Sequence, residues 1–289
     1  MTGKTVQEII DNITVIDDTF FHKLVEDKGF CEELLQVVLE NPNIRLIEAT
    51  AQKSLRNIRG RSVVLDAHCV DISDNHFDLE MQRKDDDDHQ KRVRYNSSNM
   101  DTYIAEKGTK FEQIPDIYVI YITKNDFFGE GRTLYHVDRI LRETGKVVYN
   151  GANEIYVNAE IDDGSDIAEL MKIFKSPAIP DNSKFPRVCS GIRNLKEGKG
   201  RDKMCALVEE YAEQKVKEAR ETDAKKIAGR MLKDGKLTIE DISTYFPTLS
   251  DDDINELEEK YSPLTNHKQQ NRIWELISFP YPVFKCSCP

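Results

Sequence analysis

No stretch of this 289-residue chain approaches the ~18 consecutive apolar residues that a helix needs to cross a bilayer, so no membrane span is expected. The opening MTGKTVQEIIDN has no basic segment followed by an apolar run, so no secretory leader is readable and a cytoplasmic location is expected. None of the six cysteines (Cys31, Cys69, Cys189, Cys205, Cys286, Cys288) stands at CxxC spacing, and a chain this long needs no disulfide framework. They read as reduced packing thiols. Cys286 and Cys288 lie close together, but two thiols on a tail make a poor metal site. No repeat of solenoid period is present. An excess of positive charge is missing too. The net charge of −11 counts against tight, non-specific DNA binding, which rests on neutralising phosphates.

The residues that are there describe a soluble α/β protein: 39% hydrophobic, 32% charged, and long enough for one sizeable domain and an appendage. The charge is uneven. Residues 184–230 carry 13 Lys/Arg against 8 Asp/Glu, whereas residues 1–50 carry 4 against 10. The most basic part therefore lies in the C-terminal third. Asp17-Asp18-Thr19 is a plausible helix start, and apolar residues at helical spacing from Phe20 to Leu39 predict one or two amphipathic helices. SVVLDAHCVDI (62–72) and HFDLEMQ (76–82) read as a β-hairpin. A helix over 89–105 should follow the acidic run Asp85–Asp88, then a strand buried on both faces at IYVIYI (117–122). Shorter strands are expected at 133–137, 146–150 and 154–158, and a short helix at 166–174. Prolines at 177, 180 and 186 mark a linker. The expected domains are thus 1–180, a helical region at 185–261 and an irregular tail at 262–289.

Strand 76–82 carries the most chemistry. Period two places His76, Asp78, Glu80 and Gln82 on one face and Phe77, Leu79 and Met81 on the other. Two carboxylates, an imidazole and an amide are costly to hold together without solvent or metal. Whether Asp66 of the preceding strand joins them depends on hairpin register. A two-residue turn at Asp74-Asn75 would oppose Cys69 to Glu80 and send Asp66 to the other face. A three-residue loop, Ser73-Asp74-Asn75, would oppose Asp66 to Gln82 with Glu80 on its diagonal. If the faces match, Asp66 and Glu80 can share a hard cation such as Mg²⁺ at ~2.1 Å, with the Met81 carbonyl as third ligand.

The block GRSVVLDAHCVDISDNHFDLEMQ (60–82) resembles the D…ExQ block of the PD-(D/E)xK nuclease family transposases, also described as recombination-promoting nucleases. The likeness extends to DDTFFHKLV (17–25), KRVRY (91–95), PDIYVIYITKNDFFGEG (115–131) and EIYVN (154–158), covering about residues 15–175. The resemblance implies a restriction-endonuclease-like core, with a mixed central sheet flanked by helices, that cuts DNA with Mg²⁺ or Mn²⁺. It also implies Asp66 and Glu80 as metal ligands and Gln82 in place of the motif lysine. Glutamine can orient by hydrogen bonds but supplies no cation, so Lys91, Arg92 and Arg94 become candidate phosphate-binding or substitute cations. Asp18 is a further candidate acid on the first helix. Segment 237–261 is similar to the helix-turn-helix-like tail common in that family.

Blander assignments compete with these. His68 and His76 read as satisfied or solvent-facing histidines. Asp85–Asp88 with His89 lacks the glycine and spaced ligands of a calcium loop. Cys69 with a neighbouring histidine has no third, orienting residue for nucleophilic catalysis. At the level of function, three expectations stand: a DNA endonuclease of recombination or mobile elements, a degenerate relative that binds nucleic acid or protein, and a toxin-like or phage-defence nuclease. A homo-oligomer is possible under each.

Overall fold

The computed structural model describes residues 6–56, 62–82, 89–105, 108–234, 238–247, 249 and 251–261. The acidic run Asp85–Asp88 and the tail from 262, with Cys286 and Cys288, lie outside them. Two compact units form, residues 1–209 and residues from 210 onward. Among the described residues no helix is long and apolar enough to cross a membrane.

The first unit is built on a six-stranded mixed sheet in the order β1-β2-β3-β4-β8-β5. Its strands are β1 (Leu46–Leu55), β2 (Val63–Asp71), β3 (His76–Gln82), β4 (Ile117–Thr123), β5 (Leu134–Val137) and β8 (Ala152–Asn158). β3, β4 and β8 run parallel, while β1–β2, β2–β3 and β5–β8 are antiparallel. The continuous apolar run of β4 follows from its central place, where both faces are covered. Beyond β5 the chain forms a two-stranded ribbon, β6 (Ile140–Leu141) with β7 (Lys146–Val147), and residues 136–150 are all exposed. The strand expected over 146–150 is therefore only two residues long.

Helices α2 (Asp18–Leu24), α3 (Lys28–Val38), α5 (Asp166–Lys175) and α6 (Pro186–Lys196) share one core with the sheet. Phe20, Phe21, Leu24, Phe30, Leu34 and Phe174 are its large buried members, packed on Phe77, Leu79 and Met81 of β3. A further helix, α1 (Val6–Asn12), precedes them. α4 (His89–Ile104) covers the other face, where Val93 and Met100 meet Leu65, Val119, Tyr121 and Tyr156. The alternation expected for β3 is thus realised, with Phe77, Leu79 and Met81 toward one layer and Asp78 toward α4 through Asn96.

Buried polar groups tie the layers. Glu32 of α3 accepts the Leu46 N–H of β1 at 2.9 Å, and Glu33 accepts the Val188 N–H in the first turn of α6 at 2.7 Å. Glu33 therefore takes one of the N-terminal donors of α6, whose N-cap residue Phe185 makes no side-chain cap. Lys196 Nζ, almost wholly buried, donates to the carbonyls of Ile13 (2.7 Å) and Pro177 and lies 5.6 Å from the Phe20 ring centre. This ties α6 to the start of α2 and to the chain that leaves α5.

The hairpin register resolves the two alternatives above in a third way. The pairs Val70↔His76 and Ala67↔Leu79 set the loop at Ile72-Ser73-Asp74, one residue earlier than the three-residue loop expected. Asp71 closes it: the Asp71 N–H donates to the Asn75 carbonyl, and its side chain accepts from the N–H groups of Ser73 and Asn75 at 2.8 and 2.9 Å. Asp74 takes the left-handed conformation, φ 65°, that three-residue hairpin loops require. The odd length keeps Asp66 and Glu80 in phase, but Asp66 now falls opposite Glu80 rather than Gln82.

The second unit contains the C-terminal part of α7 (Gly198–Lys233), with α8 (Ile239–Tyr245) and α9 (Asp251–Tyr261). Ala228, Ile242, Leu249 and Leu257 form its small core. α8 opens on a capping box in which Thr238 and Asp241 satisfy each other's backbone donors.

Candidate active site

Strand β2 changes face at Asp66. Leu65 packs with Val93 of α4, whereas Ala67, two residues on and so expected on the same side, packs with the α2/α3 layer. Across β1, the pairs Ala51↔Ala67 and Lys53↔Leu65 flank Gln52, whose φ of 51° marks the same irregular point. Regular alternation, which would keep Asp66 on one face with Val64 and His68, is accordingly replaced by a local switch. That switch turns the Asp66 carboxylate toward both β3 and α2.

Three contacts define its position. Asp66 Oδ2 accepts the Met81 N–H at 3.0 Å, and Oδ1 lies 2.9 Å from His22 Nε2 on α2. In the reverse direction, the Asp66 N–H donates to Glu80 Oε1 at 3.1 Å. Side chains thus take the places of ladder carbonyls where β2 and β3 part, locking the two acids against each other. Arg92, on the first turns of α4, sets Nη2 3.7 Å from Glu80 Oε2 and Nη1 3.4 Å from Gln82 Oε1.

The electrostatics follow from crowding acids into a half-closed place. Burial, with the nearby Asp66 charge, pushes the Glu80 carboxyl up to about 7, against the pull of Arg92 and the Asp66 N–H. Asp78, fully buried one pair deeper, is held well above the usual carboxylate range by burial and then by Glu80 and Asp66. It accepts from Asn96 Nδ2 at 3.2 Å, while its Oδ1 has no protein partner. For His22, burial disfavours the charged ring, yet the Asp66 hydrogen bond and the charges of Asp66, Asp18 and Glu80 leave its pKa raised. Side-chain exposure falls from Arg92 (39%) and His22 (31%) to Asp66 (15%) and Glu80 (2%), so solvent enters between the cations and reaches the acids last.

The donors suit a hard divalent cation, since two carboxylates meet where burial and the nearby Asp66 charge already disfavour the ionised form of Glu80. Among the described residues no group of three or more His, Cys, Asp or Glu side chains is arranged to hold a metal alone. A cation here would lean on Asp66 and Glu80 and complete its shell from outside the protein. Magnesium, which keeps several waters, is bound in this way.

The candidate residues named from sequence separate here. Asp66, Glu80, Gln82, Met81 (through its N–H) and Arg92 come together. Lys91, next to Arg92 in sequence, is exposed, and Asp18 acts on the site at a distance, through His22. Arg94 lines a different cleft with Ser97, Asp101, Arg139 and Tyr149. His22 and Asp78 were not singled out as functional. The signal for His22 was faint, a histidine one turn after Asp18 at the edge of an apolar helix stripe. Asp78 was visible in the alternation of β3, but nothing in the sequence told its burial apart from exposure.

A mixed sheet with helices on both faces and acids at the open end of a hairpin defines a restriction-endonuclease-like α/β protein. Residues 19–161 match the model of the PD-(D/E)XK nuclease family transposase, and this part of the chain belongs to that family. No curated protein and no solved structure matches the chain.

Proposed function

We infer that this chain is a metal-dependent endonuclease that hydrolyses DNA phosphodiester bonds, acting in the cytoplasm on substrates of recombination or mobile elements. The observation that carries the inference is the mutual clamp of Asp66 and Glu80 beside the Arg92 guanidinium. Asp66 and Glu80, with the Met81 carbonyl, would hold Mg²⁺ or Mn²⁺, whose chemistry is to make a nucleophile from water and to neutralise charge building on phosphate. The protein's own contribution is orientation. Met81 N–H and His22 fix both oxygens of Asp66, and the Asp66 N–H fixes Glu80. Arg92 would supply, from α4, the cation that Gln82 lacks; its Nη1 lies 3.4 Å from Gln82 Oε1, which supports that reading. Lys91 stands next to it for a flanking phosphate.

The test is purified protein on supercoiled plasmid, with Mg²⁺, with Mn²⁺ and with chelator. Nicking that requires the divalent ion supports the inference. Protein that binds DNA without nicking it under any of these conditions supports the second assignment, a catalytically silent relative, which the Lys-to-Gln departure at position 82 favours.

A further inference from the structure

The second unit carries a feature that the nuclease site does not use. A cleft of about 340 Å³ opens between the C-terminal turns of α7 and the end of α9, lined by Leu257 and by the polar Thr222, Lys225, Lys226, Arg230, Lys260 and Tyr261. Four of these seven side chains are cations, in a chain whose net charge is −11. Lys225 is paired with Asp253, which fixes α7 against α9. Lys226, Arg230 and Lys260 are exposed at the cleft.

The floor is built to shape. A Cβ at Gly229 would stand 3.1 Å from both Cε2 and the hydroxyl of Tyr261, so the glycine lets that ring lie directly on α7. Lys260 Nζ sits 5.7 Å from the same ring centre. The stem of Leu257 joins the small core beneath.

We propose that this cleft is a docking site for the phosphate backbone of DNA, separate from the site of cleavage. Three observations choose that occupant. Lys226 and Arg230 are one turn of helix apart, ~6 Å along the axis, and so offer charge in a row, as a strand offers phosphates. Thr222 and Tyr261 add neutral hydroxyls of the kind that commonly bond phosphate oxygens. The third is the local charge: four cations gather at this cleft in a chain of net charge −11, so the cleft and not the bulk of the chain attracts a polyanion. The choice of DNA over another polyanion rests on the nuclease inference, but the binding can be tested without cleavage.

The experiment measures fluorescence anisotropy of a labelled duplex with the full chain in chelator, across a series of salt concentrations. Lys226→Gln, Arg230→Gln and Lys260→Gln together should weaken binding at least ~10-fold and flatten the salt dependence by about two to three phosphate contacts. Lys226→Arg with Lys260→Arg should keep both. If the triple variant fails to fold, the single changes at the exposed Lys226 and Arg230 carry the test, each expected to lower the salt slope by about one. Unchanged affinity and slope would overturn the proposal, as would a wild-type chain that holds inorganic phosphate but no duplex. Plasmid nicking at high protein concentration is followed in parallel. Nicking that survives loss of the cleft's binding leaves the nuclease inference standing, and binding through the cleft without nicking removes that inference alone.

Discussion

The two ends of the β2–β3 hairpin are alike in sequence and opposite in physical state. Near the turn, His68 Nε2 meets His76 Nδ1 at 3.0 Å, and the His68 ring packs against Tyr103. At the other end Asp66 and Glu80 meet across the same two strands. Both pairs are polar side chains at alternate positions. The closed end is sealed: His68 is 3% exposed, and burial, followed by the charges of His76 and Lys53, lowers its pKa to about 4. The open end keeps a solvent route past Arg92 and His22, and there burial and the Asp66 charge push Glu80 toward protonation although Arg92 stands 3.7 Å away. Polar alternation alone therefore does not mark a site. What separates chemistry from packing is whether the pair is closed off by a neighbouring ring or reached by solvent past a half-exposed cation.

The largest expected effect lies at the open end. Asp66→Ala or Glu80→Ala should reduce metal-supported nicking to background, because no described neighbour replaces either oxygen pair. Cleavage persisting in the double variant, with contamination excluded, would place the activity elsewhere. Next in size is Arg92→Ala, expected to slow nicking by ~10²–10³ as a lost charge stabiliser. Gln82→Lys in the Arg92→Ala background should recover a large part of that rate, since it returns a cation to the motif position. No recovery would mean that Arg92 acts in some other way.

The closed end should reveal itself through stability and not through rate. The folded pKa of His68 lies below its unfolded value of 6.5, so the unfolded chain binds the extra proton first as pH falls. The stability is fully present above about 6.5 and is lost down to about 4, reaching ~2 kcal/mol lost by pH 5 at ~1.4 kcal/mol per unit. Urea titrations at pH 7 and pH 5 should show this loss, and His68→Phe should show less of it. An equal loss in the variant would assign the pH dependence to other groups. The smallest effect concerns the support of α2. Lys196→Met should cost ~1–2 kcal/mol, because the Ile13 and Pro177 carbonyls lose a buried donor. Nicking per folded molecule should barely change, and thermal unfolding with parallel rate measurements would check both parts.

The sequence made much of this legible, for reasons that individual residues show. Phe77, Leu79 and Met81 announced the buried face of β3 because strand period and burial coincide there. Ile117–Thr123 announced a central strand because both of its faces are covered. β1 escaped notice because LIEATAQKSL is an edge strand with mixed exposure and no clean alternation. The register was legible only as a parity. Ser73-Asp74-Asn75 and Ile72-Ser73-Asp74 are both three-residue loops, and the second is the one that the Asp71 side chain closes by accepting from Ser73 and Asn75. The face switch at Asp66 was not legible, since it depends on the backbone of Gln52 in the neighbouring strand. Nor was the partnership of His22 with Asp66, which spans 44 residues and rests on how α2 packs.

The three-residue loop makes the distance between Asp66 and Glu80 along the chain a quantity that changes only in steps of two. One residue added after Asp74 would not merely lengthen a turn. It would rotate every later side chain of β3 to the opposite layer, burying Glu80 among Phe21 and Leu24 and presenting Met81 to Arg92. Two added residues would leave both layers intact and lengthen only the tip. Loops at this corner can therefore vary in length by pairs of residues without disturbing the acids, and an insertion series scored for folding would show survival alternating with collapse.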